Sequence, residues 1–159
     1  MTNDPSSPQW RFRPSSSQDL DRLYEVWHAS VIATHDFVTS SDLADICIQV
    51  KNDYLPNRPL LVAIDKHDQP VGFMGINGHE IESLFIHPTS RGRGLGRAFI
   101  EEASAQSPHL EVAVNAQSSQ AVAFYQAVGF TAYASSPTDD DGRPYPILRM
   151  KKVTGGLHQ

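Results

Sequence analysis

The seven residues RGRGLGR, Arg91–Arg97, combine glycines with basic side chains between an apolar run, LFIHP, and a helical pattern, AFIEEA. When a strand ends in a glycine loop that opens a helix, several unpaired backbone N–H groups surround one point, and the helix dipole adds partial positive charge there. Glycines also let the backbone approach a bound group without a Cβ in the way. The segment therefore predicts an anion site, which fits a pyrophosphate better than a single phosphate.

The spacing of the three glycines limits the kind of nucleotide. A Walker loop needs a GK[ST] ending, whereas Gly96 is followed here by Arg97 and Ala98. The Rossmann pattern G-x-G-x-x-G is absent as well, because the glycines fall at positions 92, 94 and 96. The pattern present is R-x-x-G-x-G, and by itself it leaves a plain turn and a basic nucleic-acid patch open as alternatives.

The composition of the whole chain argues against a polyanion or a membrane as partner. The 159 residues carry a formal net charge of −5, and nucleic-acid affinity depends mainly on positive surface. The chain has no apolar run of about 18 residues, and MTNDPSSPQW lacks the basic and apolar blocks of a signal peptide. We expect a cytoplasmic protein with no nucleic-acid and no membrane partner. We also expect the lone cysteine, Cys47, to be a buried thiol, because it shares a helix face with Leu43, Ile46 and Val50.

Periodicity along the chain predicts a single mixed α/β domain. The predicted order is β-α-α-β-β-β-α-β-α-β-β, a mixed sheet covered by helices, with a parallel crossover around the glycine loop. Residues 10–152 form this domain in the prediction, and residues 1–9 and 153–159 are flexible ends. The predicted strands are WRFR, PLLVAID, VGFMGI, EIESLFIH, LEVAVNA, FTAYAS and YPILRMKK.

Two segments carry a family resemblance. LFIHPTSRGRGLGRAFIEEA resembles the acetyl-CoA signature of the GNAT (Gcn5-related N-acetyltransferase) superfamily, and NAQSSQAVAFYQAVGF resembles its second motif. SVIATHDFV, DQPVGFM and DGRPYPIL are similar to a subgroup of small bacterial acetyltransferases. The resemblance implies the GNAT fold with a splayed central sheet, acetyl-CoA as co-substrate, and a small-molecule or peptide amine as acceptor. It is compatible with a homodimer. None of the histidines forms an H-x-x-x-H pair and the single cysteine forms no C-x-x-C pair, so we expect no metal site.

The resemblance also implies which residues hold acetyl-CoA. The backbone of the strand before the loop pairs with the pantetheine arm, the loop N–H groups hold the pyrophosphate with Arg91 at the loop's entrance, and the central strands separate beyond Ile86 and after Val114. Asn115, Ser118 and Phe124 complete the set, although Ser118 stands where the family usually has an asparagine and could instead only cap a helix. The residues so implied are Leu84, Phe85, Ile86, Arg91, Gly92, Arg93, Gly94, Leu95, Gly96, Arg97, Asn115, Ser118 and Phe124.

Two residues are implied to carry out proton transfer. Tyr125, in FYQAVGF, matches the tyrosine that protonates the leaving thiolate, whose ordinary pKa is about 8.5. Glu82 corresponds to a position from which family members often supply a base, directly or through water. Strict alternation puts Glu82 on the same face as Leu84 and Ile86, unless a bulge of the kind usual in this family intervenes. A solvated strand glutamate is the alternative.

The acceptor side is expected near the end of the first helix. Trp27, His35 and Asp36 are the predicted substrate-binding residues there, with His28 as a weaker candidate. The acidic run Asp139–Asp141 either attracts a cationic amine or is a solvated turn. The predicted function is acetyl-CoA-dependent N-acetyl transfer to a primary amine, direct and within a ternary complex. A GNAT module that binds acetyl-CoA as a non-catalytic sensor or partner domain is the alternative.

Overall fold

The computed structural model describes residues 9–34 and 38–153, which form a seven-stranded mixed sheet in the order β1-β2-β3-β4-β5-β7-β6. The predicted order of strands and helices is confirmed. The strands are β1 Arg11–Pro14, β2 Leu60–Ile64, β3 Pro70–Asn77, β4 Glu80–Ile86, β5 His109–Asn115, β6 Thr131–Ser136 and β7 Ile147–Val153. The helices are α1 Leu20–Thr34, α2 Ser40–Gln49, α3 Leu55–Asn57, α4 Leu95–Gln106 and α5 Ser119–Ala127, with a wide π turn, Val50–Tyr54, joining α2 to α3.

The helices cover the two faces of the sheet unequally. Helix α1 places Leu23, Val26 and Trp27 on one face, where they pack with Phe73 of β3. Helices α4 and α5 cover the other face with a cluster that includes Phe99 and reaches across the sheet to β7. The i, i+3, i+4 spacing of apolar residues on α1 thus forms one core layer, and the helix after the glycine loop forms the other.

The parallel pair β4–β5 is bonded over a short length only. Glu80 pairs with Glu111 and Ile81 with Val112, and the ladder then ends. Each strand continues along its other neighbour: β4 stays paired with β3 up to Ile86, and β5 stays paired with β7 to its last residue. The predicted separation of the two strands is therefore confirmed, but it begins after Ile81 and Val112 rather than beyond Ile86 and after Val114, because each strand stays bonded to its antiparallel partner where the parallel ladder ends.

A β-bulge lies in β4 at Glu82. Ser83 pairs with Gly75, but the next residue of β3 pairs with Ile81, so Glu82 is the extra residue. The bulge changes the alternation: Ile81 and Leu84 belong to the core cluster on the α4–α5 side, whereas buried Ser83 bonds to residues on the α1 side. The predicted bulge is confirmed, and strict alternation from Glu82 to Ile86 does not hold.

Two local predictions need correction. Cys47 is half-buried rather than buried: it packs against the α1 layer, but none of the residues of α2 is fully buried. The strand β7 extends one residue into the predicted C-terminal tail, since Val153 pairs with His109 of β5. In the part of the chain that the structure describes, none of the helices is both long and apolar enough to cross a bilayer.

A buried hydrogen-bond network holds the bulge against β3. The Tyr54 hydroxyl and the Ser83 hydroxyl are 2.7 Å apart, and the Gly75 N–H donates to Ser83 Oγ at 3.1 Å. Gly75 has no room for a side chain, because a Cβ there would lie 2.5 Å from the Tyr54 hydroxyl and 2.9 Å from Ser83 Oγ. Burial raises the pKa of Tyr54, so the phenol remains neutral at physiological pH.

We expect Gly75→Ala to lower the free energy of unfolding by about 1–3 kcal/mol, because the added methyl group is forced into occupied space. In a Tyr54→Phe background the same substitution should cost less, since the closest atom is gone. Urea denaturation of the four proteins of this double-mutant cycle measures the coupling. An equal cost of Gly75→Ala in both backgrounds would contradict the proposed contact.

Candidate active site

A cavity of about 540 Å³ opens where β4 and β5 separate. Its walls are β4, the glycine loop with the start of α4, the end of β5, helix α5, and two residues of α1. The predicted residues that line it are Glu82, Leu84, Phe85, Ile86, Arg91, Gly92, Gly94, Leu95, Gly96, Arg97, Asn115, Ser118, Phe124 and Tyr125. Arg93 is exposed on the loop and, like Trp27, lies outside this lining. One cavity thus brings together both sequence motifs.

The glycine loop has the geometry of an anion cradle. Gly92 and Gly94 have φ angles of +75° and +89°, which favour glycine, and a Cβ on either would have no atom within 4 Å. Gly94 is the N-cap of α4 and, having no side chain, accepts no capping bond from the N–H groups of the first turn. The helix ladder begins with Ala98 N–H donating to Gly94, so the N–H groups of the first turn remain available. An anionic group such as a pyrophosphate fits this open, donor-rich loop.

The start of α4 is in close contact with α5. A Cβ on Gly96 would lie 2.8 Å from Cε1 of Phe124, and Ile86 of β4 lies on the same side. Glycine at this position is therefore required by packing, in addition to any role toward a ligand. The contact fixes the distance between the anion cradle and the helix that carries Tyr125.

Arg91 ties the loop to α1. Its Nη2 donates to Ser30 Oγ at 2.9 Å, and Ser30 itself is only 3% exposed. Ser30 and Thr34 both line the cavity, and neither was predicted from the sequence. The available signal was their position on the buried face of α1, where Ser30 follows Trp27 at i+3 and is a polar residue in an apolar stripe.

Tyr125 projects from α5 into the cavity wall. The residue is 7% exposed, and its ring lies edge-on to those of Phe124 and Phe130 at 5.0 and 5.2 Å between centroids. Burial raises the pKa of Tyr125 well above its ordinary value, because the low-dielectric surroundings disfavour the phenolate. The side chain is thus a neutral O–H donor throughout the physiological pH range.

Glu82 brings a carboxylate to the cavity from the bulge in β4. Its Oε1 lies 3.8 Å from Nε of Arg58, the residue that follows α3, and the Arg58 guanidinium stacks over Tyr54 at 5.8 Å. The pair is solvent-accessible, so it contributes little to stability. A carboxylate in this position can accept a proton from a group in the cavity.

The second motif supplies two polar residues at the end of β5. Asn115 Oδ1 accepts from the Gln117 N–H at 2.8 Å, which leaves the amide nitrogen to donate. Ser118 is 4% exposed and caps α5 by accepting from the Ala121 N–H at 3.4 Å. Ser118 therefore caps α5 and also lines the cavity, while Asn115 retains a donor there.

The residues predicted for the acceptor side differ in where they lie. His35 and Asp36 lie outside the described residues. Trp27 is 4% exposed and packs edge-on against Phe85, with ring centroids 6.5 Å apart, so it is a core residue beneath the β4 wall. His28 stacks on Tyr24 at 5.8 Å on the outer side of that layer.

The acidic turn between β6 and β7 is largely paired. Arg143 lies 3.0 Å from Asp141 and 3.9 Å from Asp139, and Arg149 lies 3.4 Å from Asp140. Tyr145 donates to Asp42 at the start of α2, which fastens the turn to that helix. The run is therefore a structured, partly neutralised turn rather than a free acidic rim.

Comparisons with known proteins agree with this geometry. The family described as Acetyltransferase (GNAT) domain matches residues 46–153. Peptidyl-lysine N-acetyltransferase YjaB of Escherichia coli strain K12 is 42% identical over 141 residues, which are 89% of this chain and 95% of YjaB.

Solved structures extend the likeness to the fold. The solution structure of apo YjaB from Escherichia coli has a TM-score of 0.87 at 40% identity, covering 92% of this chain and 99% of that one. PaiA N-acetyltransferase from Thermoplasma acidophilum, solved in complex with coenzyme A, shares the fold at a TM-score of 0.71 and 19% identity, covering 91% and 98% of the two chains. This chain belongs to the GNAT family of acetyltransferases, with acetyl-CoA as its co-substrate.

Proposed function

We propose that this acetyltransferase transfers the acetyl group of acetyl-CoA to the side-chain amine of a lysine in a peptide or protein, directly and within a ternary complex. The observation that carries the proposal is a buried, neutral Tyr125 on the same cavity as a donor-rich glycine loop. The lysine acceptor is supported by the 42% identity with a relative named peptidyl-lysine N-acetyltransferase.

The edge of β4 and the glycine loop would hold the co-substrate. Leu84, Phe85 and Ile86 keep their bonds to β3 but have no partner strand in β5, so their edge can pair with an extended pantetheine arm. The N–H groups from Gly92 to Arg97 would bind the pyrophosphate, with Arg91 and Asn115 beside them. When bound, acetyl-CoA supplies a thioester whose acyl carbon an amine can attack.

Tyr125 would act as the acid. Its Oη proton is retained at neutral pH, because burial raises the pKa of the phenol. A phenol that holds its proton more firmly than a thiol stabilises negative charge on a leaving sulfur chiefly by donating a strong hydrogen bond. Proton transfer can then complete when the charge has developed.

Glu82 would serve as the base. An amine acceptor reaches the site as an ammonium at neutral pH and must lose a proton before it can attack. The Glu82 carboxylate stands on the cavity wall, and the bulge releases it from the regular ladder. Proton acceptance directly or through a water fits a group at the solvent-accessible mouth of the cavity.

The alternative of a non-catalytic acetyl-CoA sensor is not favoured. A sensor requires the glycine loop to bind acetyl-CoA. It does not require the neutral phenol of Tyr125 or the carboxylate of Glu82 on the cavity wall. The identity with a curated acetyltransferase also covers nearly the whole chain.

The main experiment incubates the protein with acetyl-CoA and an N-terminally blocked peptide that contains one lysine. We expect a mass gain of one acetyl group on that lysine and release of one thiol, with neither on the matched peptide that has arginine in its place. Tyr125→Phe should lower kcat about a hundredfold or more while the Kd for acetyl-CoA changes little. Tyr24→Phe, on α1 and outside the cavity lining, is the control and should keep wild-type rates.

Transfer to free small amines with none to the lysine peptide would exclude the lysine acceptor and leave the acetyltransferase intact. Unchanged kcat in Tyr125→Phe would exclude the assigned acid. Tight acetyl-CoA binding with no turnover on peptides, proteins or amines would favour the sensor.

We expect Glu82→Gln to lower kcat/KM about tenfold or more while the Kd for acetyl-CoA changes little, because the amide cannot accept a proton. Glu80→Gln, two residues earlier on β4 and outside the cavity lining, should keep the wild-type kcat/KM. Initial rates with the lysine peptide at saturating acetyl-CoA measure both variants. A wild-type kcat/KM in Glu82→Gln would exclude Glu82 as the base.

A further inference from the structure

Three side chains from two segments of the chain converge on the sheet away from the cavity. His109 Nε2 lies 2.8 Å from Glu111 Oε2, and His79 Nε2 lies 3.5 Å from the same oxygen. The ligand atoms of the three residues all lie within 4.8 Å of one another. His79 comes from the β3–β4 turn, and His109 and Glu111 come from β5. His109 and Glu111 are neighbours on one strand, but His79 is distant from them along the chain and no H-x-x-x-H pair is present, which is why the sequence predicts no metal site.

We propose that His79, His109 and Glu111 bind a divalent transition-metal ion of the zinc class on the open face of the sheet. Two imidazoles and one carboxylate are the ligand types that Zn²⁺ takes when three protein groups hold it and a water completes the tetrahedron. A tetrahedral ion with bonds of about 2.1 Å keeps its ligand atoms about 3.4 Å apart. The observed separations are 2.8 and 3.5 Å from Glu111 Oε2 to the two imidazoles and at most 4.8 Å overall, so side-chain rotations alone would have to bring them to that value.

The carboxylate is already oriented by a neighbouring group. Tyr133 on β6 donates its hydroxyl proton to Glu111 Oε1 at 2.7 Å, while Oε2 faces the two histidines. This hydrogen bond, together with the one from His109, lowers the pKa of Glu111 and keeps it ionised. Metal sites commonly use such a second partner to fix the direction of a ligand.

The backbone holds the three residues in register. The Glu111 N–H donates to the His79 carbonyl at 2.9 Å, and Glu80 pairs with Glu111 in the ladder. The side chain of His79 is 55% exposed and that of His109 38% exposed, which leaves one side open for water as the remaining ligand. The site is therefore organised on β5 and its neighbouring turn rather than on a loose surface loop.

Binding has an identifiable cost. A metal on His109 Nε2 must replace the hydrogen bond that this nitrogen shares with Glu111, and the ring proton must then reside on Nδ1. The ammonium of Lys151, placed 5.3 Å over the Tyr133 ring and opposite Glu111 in the ladder, adds positive charge nearby. The free energy gained by coordination to three ligands must exceed the cost of losing this hydrogen bond and the repulsion from Lys151.

A bound ion at this location would stabilise the junction of β4 and β5. Glu80–Glu111 and Ile81–Val112 are the pairs that join β4 to β5 before the strands part. An ion bound by His79 and Glu111 would link the turn before β4 to β5 at this closed end of the cleft. Metal binding should thus stabilise the fold without contact to the co-substrate cavity.

The test is calorimetric titration of the untagged, metal-free chain with ZnCl₂. We expect one ion per chain for the wild type, and an affinity at least tenfold weaker for His79→Gln and for His109→Gln. Tyr133→Phe should weaken binding to a smaller degree, because Tyr133 is not a metal ligand and only orients the Glu111 carboxylate. His67→Gln, which removes an exposed histidine from the β2–β3 turn, is the matched control and should bind as the wild type does.

Thermal unfolding gives a second readout that does not depend on heat of binding. Added ZnCl₂ should raise Tm for the wild type and for His67→Gln, with no rise for His79→Gln, whose fold is checked by circular dichroism. The proposal is overturned if the wild type binds no ion, or if the double variant His79→Gln/His109→Gln binds Zn²⁺ with unchanged affinity. Both readouts are independent of acetyl transfer.

Discussion

The two central strands, β4 and β5, are joined through Glu80–Glu111 and Ile81–Val112 and then follow different partners, β3 on one side and β7 on the other. This divergence leaves the inner edge of β4 without a neighbour and creates the cavity between α4 and α5. A strand edge in a protein interior is costly unless something bonds to it. In the proposed complex an extended co-substrate arm would bond to that edge, so the same break in the sheet would both make the site and select what fits it.

The close contacts around this cleft explain why small residues recur there. Gly96 allows the start of α4 to approach Phe124, and Gly75 leaves space for the Tyr54–Ser83 pair that supports the bulge. Gly92 and Gly94 differ from these two, because their backbone faces open space, which suits the proposed anion site. The distance between the cradle, the Tyr125 phenol and the Glu82 carboxylate is thus set by packing.

Burial and exposure divide the proposed proton chemistry between the two sides of the cavity. Tyr125 is enclosed by aromatic rings and remains neutral, which suits a donor to a leaving sulfur. Glu82 stands at the accessible wall with Arg58 nearby, which suits a group that passes protons to solvent. In the proposed reaction the buried Tyr125 would thus donate a proton and the accessible Glu82 would accept one.

Local features of the sequence determined the order of strands and helices and the glycine loop with its helix, because periodicity and backbone freedom depend on neighbouring residues. The family resemblance of two segments implied that both belong to one site. Tertiary structure alone decided where β4 and β5 separate, since this point depends on the hydrogen bonds of β4 to β3 and of β5 to β7. It also placed Trp27 in the core instead of the cavity and paired Arg91 with Ser30. The convergence of His79 with His109 and Glu111 is of the same kind, because strand register brings together residues that no spacing along the chain relates.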